Sequence, residues 1–176
     1  YVNLRRDDGF FRKIRVVYVG DEMILNVTGM NRQWMVSGWR ANPVGIKFYR
    51  EHPEVLEECN AILLDPEVEL GSTVMETFRA LRPRIPLDMF GVDCDVNREG
   101  RVVFFEASAA MIYHANYRAA PEDIRVPREP LDRLDEAFHG KSAEIEIEAS
   151  QSCETCGSLD GAGVFDHRGG ERCGDT

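Results

Sequence analysis

No apolar run in this chain approaches the ~20 residues that a membrane helix needs. The opening residues, YVNLRRDDGF, are charged and lack the apolar core of a secretory signal. Neither a membrane nor an export route is therefore expected. There is no initiator Met, so the chain reads as cut or processed from something longer. A large basic face is also missing. The net charge is −10 over 176 residues, and nucleic acid held without regard to sequence is held mostly by Lys and Arg on phosphates. Internal repeats, a nucleophile elbow, a Walker loop and a GxGxxG turn are absent. Five cysteines, an odd count without a signal peptide, point to a reducing, cytoplasmic compartment.

The residues that are present divide unevenly. Residues 1–50 carry 9 basic and 4 acidic side chains, whereas residues 141–176 carry 3 and 8. The basic stretch is compatible with a small phosphorylated ligand or with a solvated surface. With 43% hydrophobic residues the chain can bury one core of its own.

IRVVYVG (14–20) reads as a β-branched strand that turns at Gly20-Asp21 and returns as EMILNVTGM (22–30). QWMVSGW (33–39) reads as a third short strand and ANPVG (41–45) as a loop. HPEVLEECNAILL (52–64) has Pro53 at the first helical position and an apolar face of Val55, Leu56, Cys59, Ile62 and Leu63. A second helix is expected over 73–82, opened by a Thr73–Glu76 capping box and ended by Pro83. GVDCDVNREGRVVFFEAS (91–108) is a strand hairpin, and LDRLDEAFHG (131–140) a short helix ending at Gly140. The fold expected is α+β: a mainly antiparallel sheet with two helices on one face over 1–115, an irregular extension over 116–140, and an acidic Gly/Ser-rich tail over 141–176 that stays disordered.

The hairpin holds carboxylates inside apolar strands. Phe90, Val92, Cys94 and Val96 share one face, and Asp93 and Asp95 the other. A tight turn at Asn97–Gly100 sets Asp93 opposite Phe104 and Asp95 opposite Val102. Asp93 and Glu106 then become diagonal neighbours on one face, up to ~7–8 Å apart. Two acids so placed repel each other and are costly to desolvate unless they face water. A divalent cation between them removes both costs, and Mg²⁺ is commonly held by one or two carboxylates plus substrate phosphates.

The stretch GVDCDVNREGRVVFFEASAAM (91–111) resembles the C-terminal metal hairpin of the ATP-grasp superfamily, with an Asp, a Gly-containing turn, apolar residues and then Glu. DDGFFRKIRVVYVGDEM (7–23) and NRQWMV (31–36) are similar to upstream segments of its peptide-ligase-like members. The resemblance covers roughly residues 1–115. It implies an ATP-dependent carboxylate–amine or carboxylate–thiol ligase working through an acyl phosphate, with ATP and Mg²⁺ or Mn²⁺ as cofactors. It further implies that Asp93 and Glu106 hold the metal, that Phe105 packs against adenine, and that Arg15, with Lys13 nearby, meets the transferred phosphate. Ser108 stands where the family has Asn and would offer a hydroxyl to the metal. The family's site lies between two subdomains, so this chain is expected to be the C-terminal half, to lack its N-terminal half, and to be inactive alone. The alternative is a degraded, non-catalytic ATP-grasp-like binding or interaction module.

In the tail, Cys153, Cys156, His167 and Cys173 leave three readings open: a disordered segment, a structural Zn²⁺ site, and a redox dithiol at Cys153–Cys156. His52, His114 and His139 are isolated and carry no assigned role.

Overall fold

The computed structural model describes residues 4–34, 36, 43–111, 120–125 and 127–141. The chain divides into two units, Tyr1–Lys141 and Ser142–Thr176, and all described residues lie in the first.

Nine elements build that unit: β1 (Phe11–Val19), β2 (Glu22–Asn31), α1 (Pro43–Glu51), α2 (Pro53–Leu64), α3 (Pro66–Leu70), α4 (Ser72–Arg79), β3 (Met89–Val96), β4 (Val102–Ser108) and a helix α5 over 128–141. The strands form one antiparallel sheet in the order β2-β1-β3-β4. The α+β architecture expected from the pattern is the one observed.

Strand alternation sorts the side chains into two layers. Ile14, Val16 and Tyr18 of β1 join Phe90, Val92, Cys94 and Val96 of β3 on one face, against Ile62 and Leu63 of α2 and Val74, Met75 and Phe78 of α4. Tyr18 stacks on its cross-strand partner Phe90, ring centroids 4.4 Å apart, and its hydroxyl donates to the Phe78 carbonyl at 2.9 Å. That bond ties the end of α4 to the sheet. Each such fully buried side chain contributes about 1.5–3 kcal/mol over an exposed one.

Among the described residues, α5 covers part of the second face. Leu134, Ala137 and Phe138 of α5 pack on Val17, Val19 and Ile24, near the β1–β2 turn. The other half of this face carries Lys13, Arg15, Asp93 and Asp95. A third cluster, of Phe10, Met30, Tyr49, Val55, Cys59, Ala120 and Ile124, joins α1, α2 and the 3-10 turn Glu122–Ile124.

Several local expectations change. Residues 43–45 open α1 and are not loop, because Tyr49 and its neighbours gain a buried surface against Phe10 and Met30. α4 starts after Gly71, whose φ of 82° needs glycine. Thr73 therefore lies inside the helix, where its carbonyl accepts from Thr77, and forms no capping box. A short α3, capped by the Asp65 carboxylate on Val68 N at 3.3 Å, was not anticipated. Helix α5 starts at 128 and continues through Gly140, because Leu131 and Leu134 give it a buried side. Gln33 and Trp34 form a bend, and the rest of the expected third strand lies mostly outside the described residues.

Candidate functional site

The part of the second face beyond α5 is built from three adjacent strands. In β1 the core-facing residues alternate with Lys13 and Arg15, so both cations leave the sheet on the side away from α2 and α4. Register sets Arg15 opposite Asp93, and Asp93 opposite Glu106. One row thus crosses β1, β3 and β4 as Arg15–Asp93–Glu106. Cross-strand neighbours of this kind have Cβ atoms ~4.5–5.5 Å apart.

The register differs from that expected for the hairpin in two steps. The turn is one residue longer. Asn97 N donates to the Arg101 carbonyl at 2.9 Å, Asn97 Oδ1 accepts from Glu99 N and Arg101 N, and Gly100 takes φ 73°. Val96 then opposes Val102, Asp95 opposes Val103 and Cys94 opposes Phe104. A bulge follows, leaving Phe105 without a partner before Asp93 meets Glu106. The bulge puts Phe104 and Glu106 on opposite faces, although their spacing in sequence implies one face. Asp93 and Glu106 do share a face, as direct neighbours and not diagonal ones.

Asp93 is 4% exposed and accepts three hydrogen bonds from two side chains of β1. Arg15 Nε donates to Oδ1 at 2.7 Å and Arg15 Nη2 to Oδ2 at 2.8 Å, while Lys13 Nζ donates to Oδ2 at 3.1 Å. Burial alone would raise this carboxyl. The Arg15 hydrogen bonds and the charges of Lys13 and Arg15 outweigh it and hold the group below its ordinary value. The carboxylate is therefore tolerated inside the sheet because two side chains of β1 offset it; no metal ion is required for that. Glu106 is exposed and makes no side-chain hydrogen bond or ion pair among the described residues. Ser108 lies opposite Gly91, two residues along the same side, and its Oγ accepts from Ala110 N at 3.1 Å. Phe105 is 48% exposed and Phe104 43%; Phe104, paired with core-facing Cys94, lies on the face away from the row.

Asp95, two residues from Asp93, has the opposite environment. It is 0% exposed; Oδ1 accepts from Val96 N at 2.7 Å and lies 3.5 Å from Arg6 Nη2, while Oδ2 has no hydrogen-bond partner. Burial pushes its carboxyl up, against the smaller opposing effects of the Val96 N–H and the Arg6 and Arg12 charges. On the helix-facing side, Arg12 sits between Asp8 Oδ2 at 2.6 Å and Glu58 Oε1 at 2.8 Å. This cluster was not anticipated, although a charged residue at a core-facing position of β1 was its visible signal. Cys59 and Cys94 are buried free thiols, and burial raises the Cys94 thiol.

A cleft of about 430 Å³ lies elsewhere, between Met23–Leu25 of β2, Leu63 and Leu64 of α2, Met75 of α4 and Pro130 of α5. On its rim Arg79 pairs with Glu67 at 2.6 Å. Among the described residues no three His, Cys, Asp or Glu side chains are placed to hold a metal by themselves, and no helix is long and apolar enough to cross a membrane. His114 and the set Cys153, Cys156, His167 and Cys173 lie outside the described residues.

No family model matches the chain, and no curated protein or solved structure matches it.

Proposed function

We propose that this chain supplies the magnesium–phosphate side of a nucleotide site, in an ATP-dependent carboxylate–amine or carboxylate–thiol ligase of the ATP-grasp kind. The observation that carries the reading is the Arg15–Asp93–Glu106 row, flanked by Lys13, on the face of the sheet away from α2 and α4.

The donor set fits a hard divalent cation. Two carboxylates from neighbouring strands and a hydroxyl at Ser108 are all oxygen ligands, and Mg²⁺ completes its shell with water and phosphate oxygens. Asp93 stays ionised because its carboxyl is held low, and Glu106 is accessible. Held by Asp93 and Glu106, Mg²⁺ or Mn²⁺ would neutralise the charge of the phosphates. Arg15 and Lys13 stand beside that position and would bind the oxygens of the transferred phosphoryl group. The exposed Phe105 ring offers a surface to the base. In the reaction, the substrate carboxylate oxygen takes the γ-phosphoryl group and ADP leaves. The amine or thiol then attacks the acyl phosphate carbonyl and expels phosphate. The row covers one side of a nucleotide, so the reading calls for a second subdomain on the other. It also places the protein in a reducing, cytoplasmic compartment.

A second reading, a non-catalytic binding module, is favoured by one fact: two protein cations already neutralise Asp93. Calorimetric titration with magnesium and a non-hydrolysable ATP analogue separates the two. The ligase reading expects binding weaker than micromolar by the chain alone, lowered about tenfold, or ~1.4 kcal/mol, by Glu106→Gln. An unchanged affinity in that variant contradicts it.

A further inference from the structure

A carboxylate has about four lone-pair positions. At Asp93, Arg15 Nε and Nη2 and Lys13 Nζ occupy three of them, at 2.7, 2.8 and 3.1 Å. The Lys13 and Arg15 side chains are each 16% exposed and that of Asp93 6%. Water therefore screens these charges poorly. Two cations face one anion, and Glu106 brings the group to neutrality.

A bare divalent cation at Asp93 would have to displace two organic cations and then remain beside them. Unit charges 5 Å apart in surroundings of effective dielectric 20 interact by about 3 kcal/mol, and a double charge doubles that repulsion. A polyphosphate reverses the balance. Its anionic oxygens take up the donors that the metal frees, and the planar guanidinium of Arg15 is suited to two of them at once.

We infer that metal and polyphosphate enter this site only together: Asp93 gives up Lys13 and Arg15 to phosphate oxygens at the same moment that it accepts the cation. This rests on the nucleotide-site reading above and adds an order of binding to it. The three hydrogen bonds on Asp93 act as a lock that holds the carboxylate in place and keeps Mg²⁺ away when no phosphate is present.

The test is an NMR titration of the full chain, following the amides of residues 92–94 and 105–107. It uses Mg²⁺ alone, inorganic tripolyphosphate with a chelator, and the two together. The expected result is tight response only to the combination, with at least a tenfold gain in affinity over either component. Lys13→Met, which leaves Arg15 to hold Asp93, is expected to raise the affinity for Mg²⁺ alone. Arg15→Lys, which lightens the clamp without removing a charge, serves if that variant does not fold. Mg²⁺ binding equally tightly with and without tripolyphosphate overturns the coupling and leaves the nucleotide site standing. No response at these amides to any combination overturns both.

Discussion

Arg12 and Arg15 leave the same strand on opposite faces and end in inverse surroundings. Arg12 is one cation between two acids, Asp8 and Glu58, at the margin of the helix-covered core. Asp93 is one acid between two cations, Lys13 and Arg15, on the other face of the sheet. The first cluster is complete in itself: hydrogen bonds from Arg12 hold Asp8 low, and Glu58 and Asp8 together raise the Arg12 guanidinium against its own burial. The second stands next to an exposed acid, Glu106, that it does not use. A closed cluster of this type fastens strand to helix. Two cations on one acid, with an exposed acid beside them, are the arrangement that the proposed exchange of partners calls for.

The largest effect should come from stripping the second cluster. Lys13→Met with Arg15→Met leaves a 4% exposed carboxylate without a cation, and urea unfolding at neutral pH is expected to show a loss of about 3–5 kcal/mol. Adding Asp93→Leu should restore most of it, since an apolar set can replace a buried ionic one at little cost. If the triple variant is as unstable as the double, packing and not charge was responsible.

Arg12→Met should cost less, about 1–2 kcal/mol, because Asp8 and Glu58 can rehydrate and their exposure screens the pair; their side chains are 41% and 38% exposed. A loss equal to that of the double variant would erase the distinction between the clusters.

Asp95→Asn sharpens it from a third side. Asp93 has a lowered folded value, so its contribution to stability is present above the unfolded carboxyl value near 3.9 and fades as pH falls through the folded one. Asp95 has a raised value, so its contribution is present below about 3.9 and is lost as pH rises through the folded one. Unfolding midpoints across pH should therefore show Asp95→Asn more stable than the parent by ~1 kcal/mol at neutral pH, with the gain vanishing near pH 4. A gain that persists unchanged in acid would remove the buried charge as its cause.

The smallest effect belongs to Arg98→Ala. Its pair with Asp7 has side chains 60% and 91% exposed, and such pairs contribute little; no resolvable change in thermal midpoint is expected.

Much of this frame was legible. GVDCDV alternates strictly enough to assign each side chain to a face, IRVVYV marks most of β1 by its β-branched residues, and PEVLEECNAILL announces α2 by its apolar stripe. That Asp93 and Glu106 share a face could be read as well. Their direct opposition could not, because a bulge at Phe105 carries no Gly or Pro to mark it and Asn97 lengthens the turn through its own side chain. α1 was invisible for another reason: PVGIKFYRE has a glycine in its first turn, and its aromatic residues find their partners only in the tertiary structure. The pairing of Asp93 with Lys13 and Arg15 depends on β1 lying beside β3, a contact 78 residues distant in sequence.

The most direct measurement adds Mn²⁺ and ATP to the chain and follows paramagnetic broadening of its carboxylate carbon resonances. The account expects Asp93 and Glu106 to broaden together and first, with the acids of α2 and α3 unaffected. Broadening confined to those surface acids, while Asp93 and Glu106 stay sharp, would contradict it.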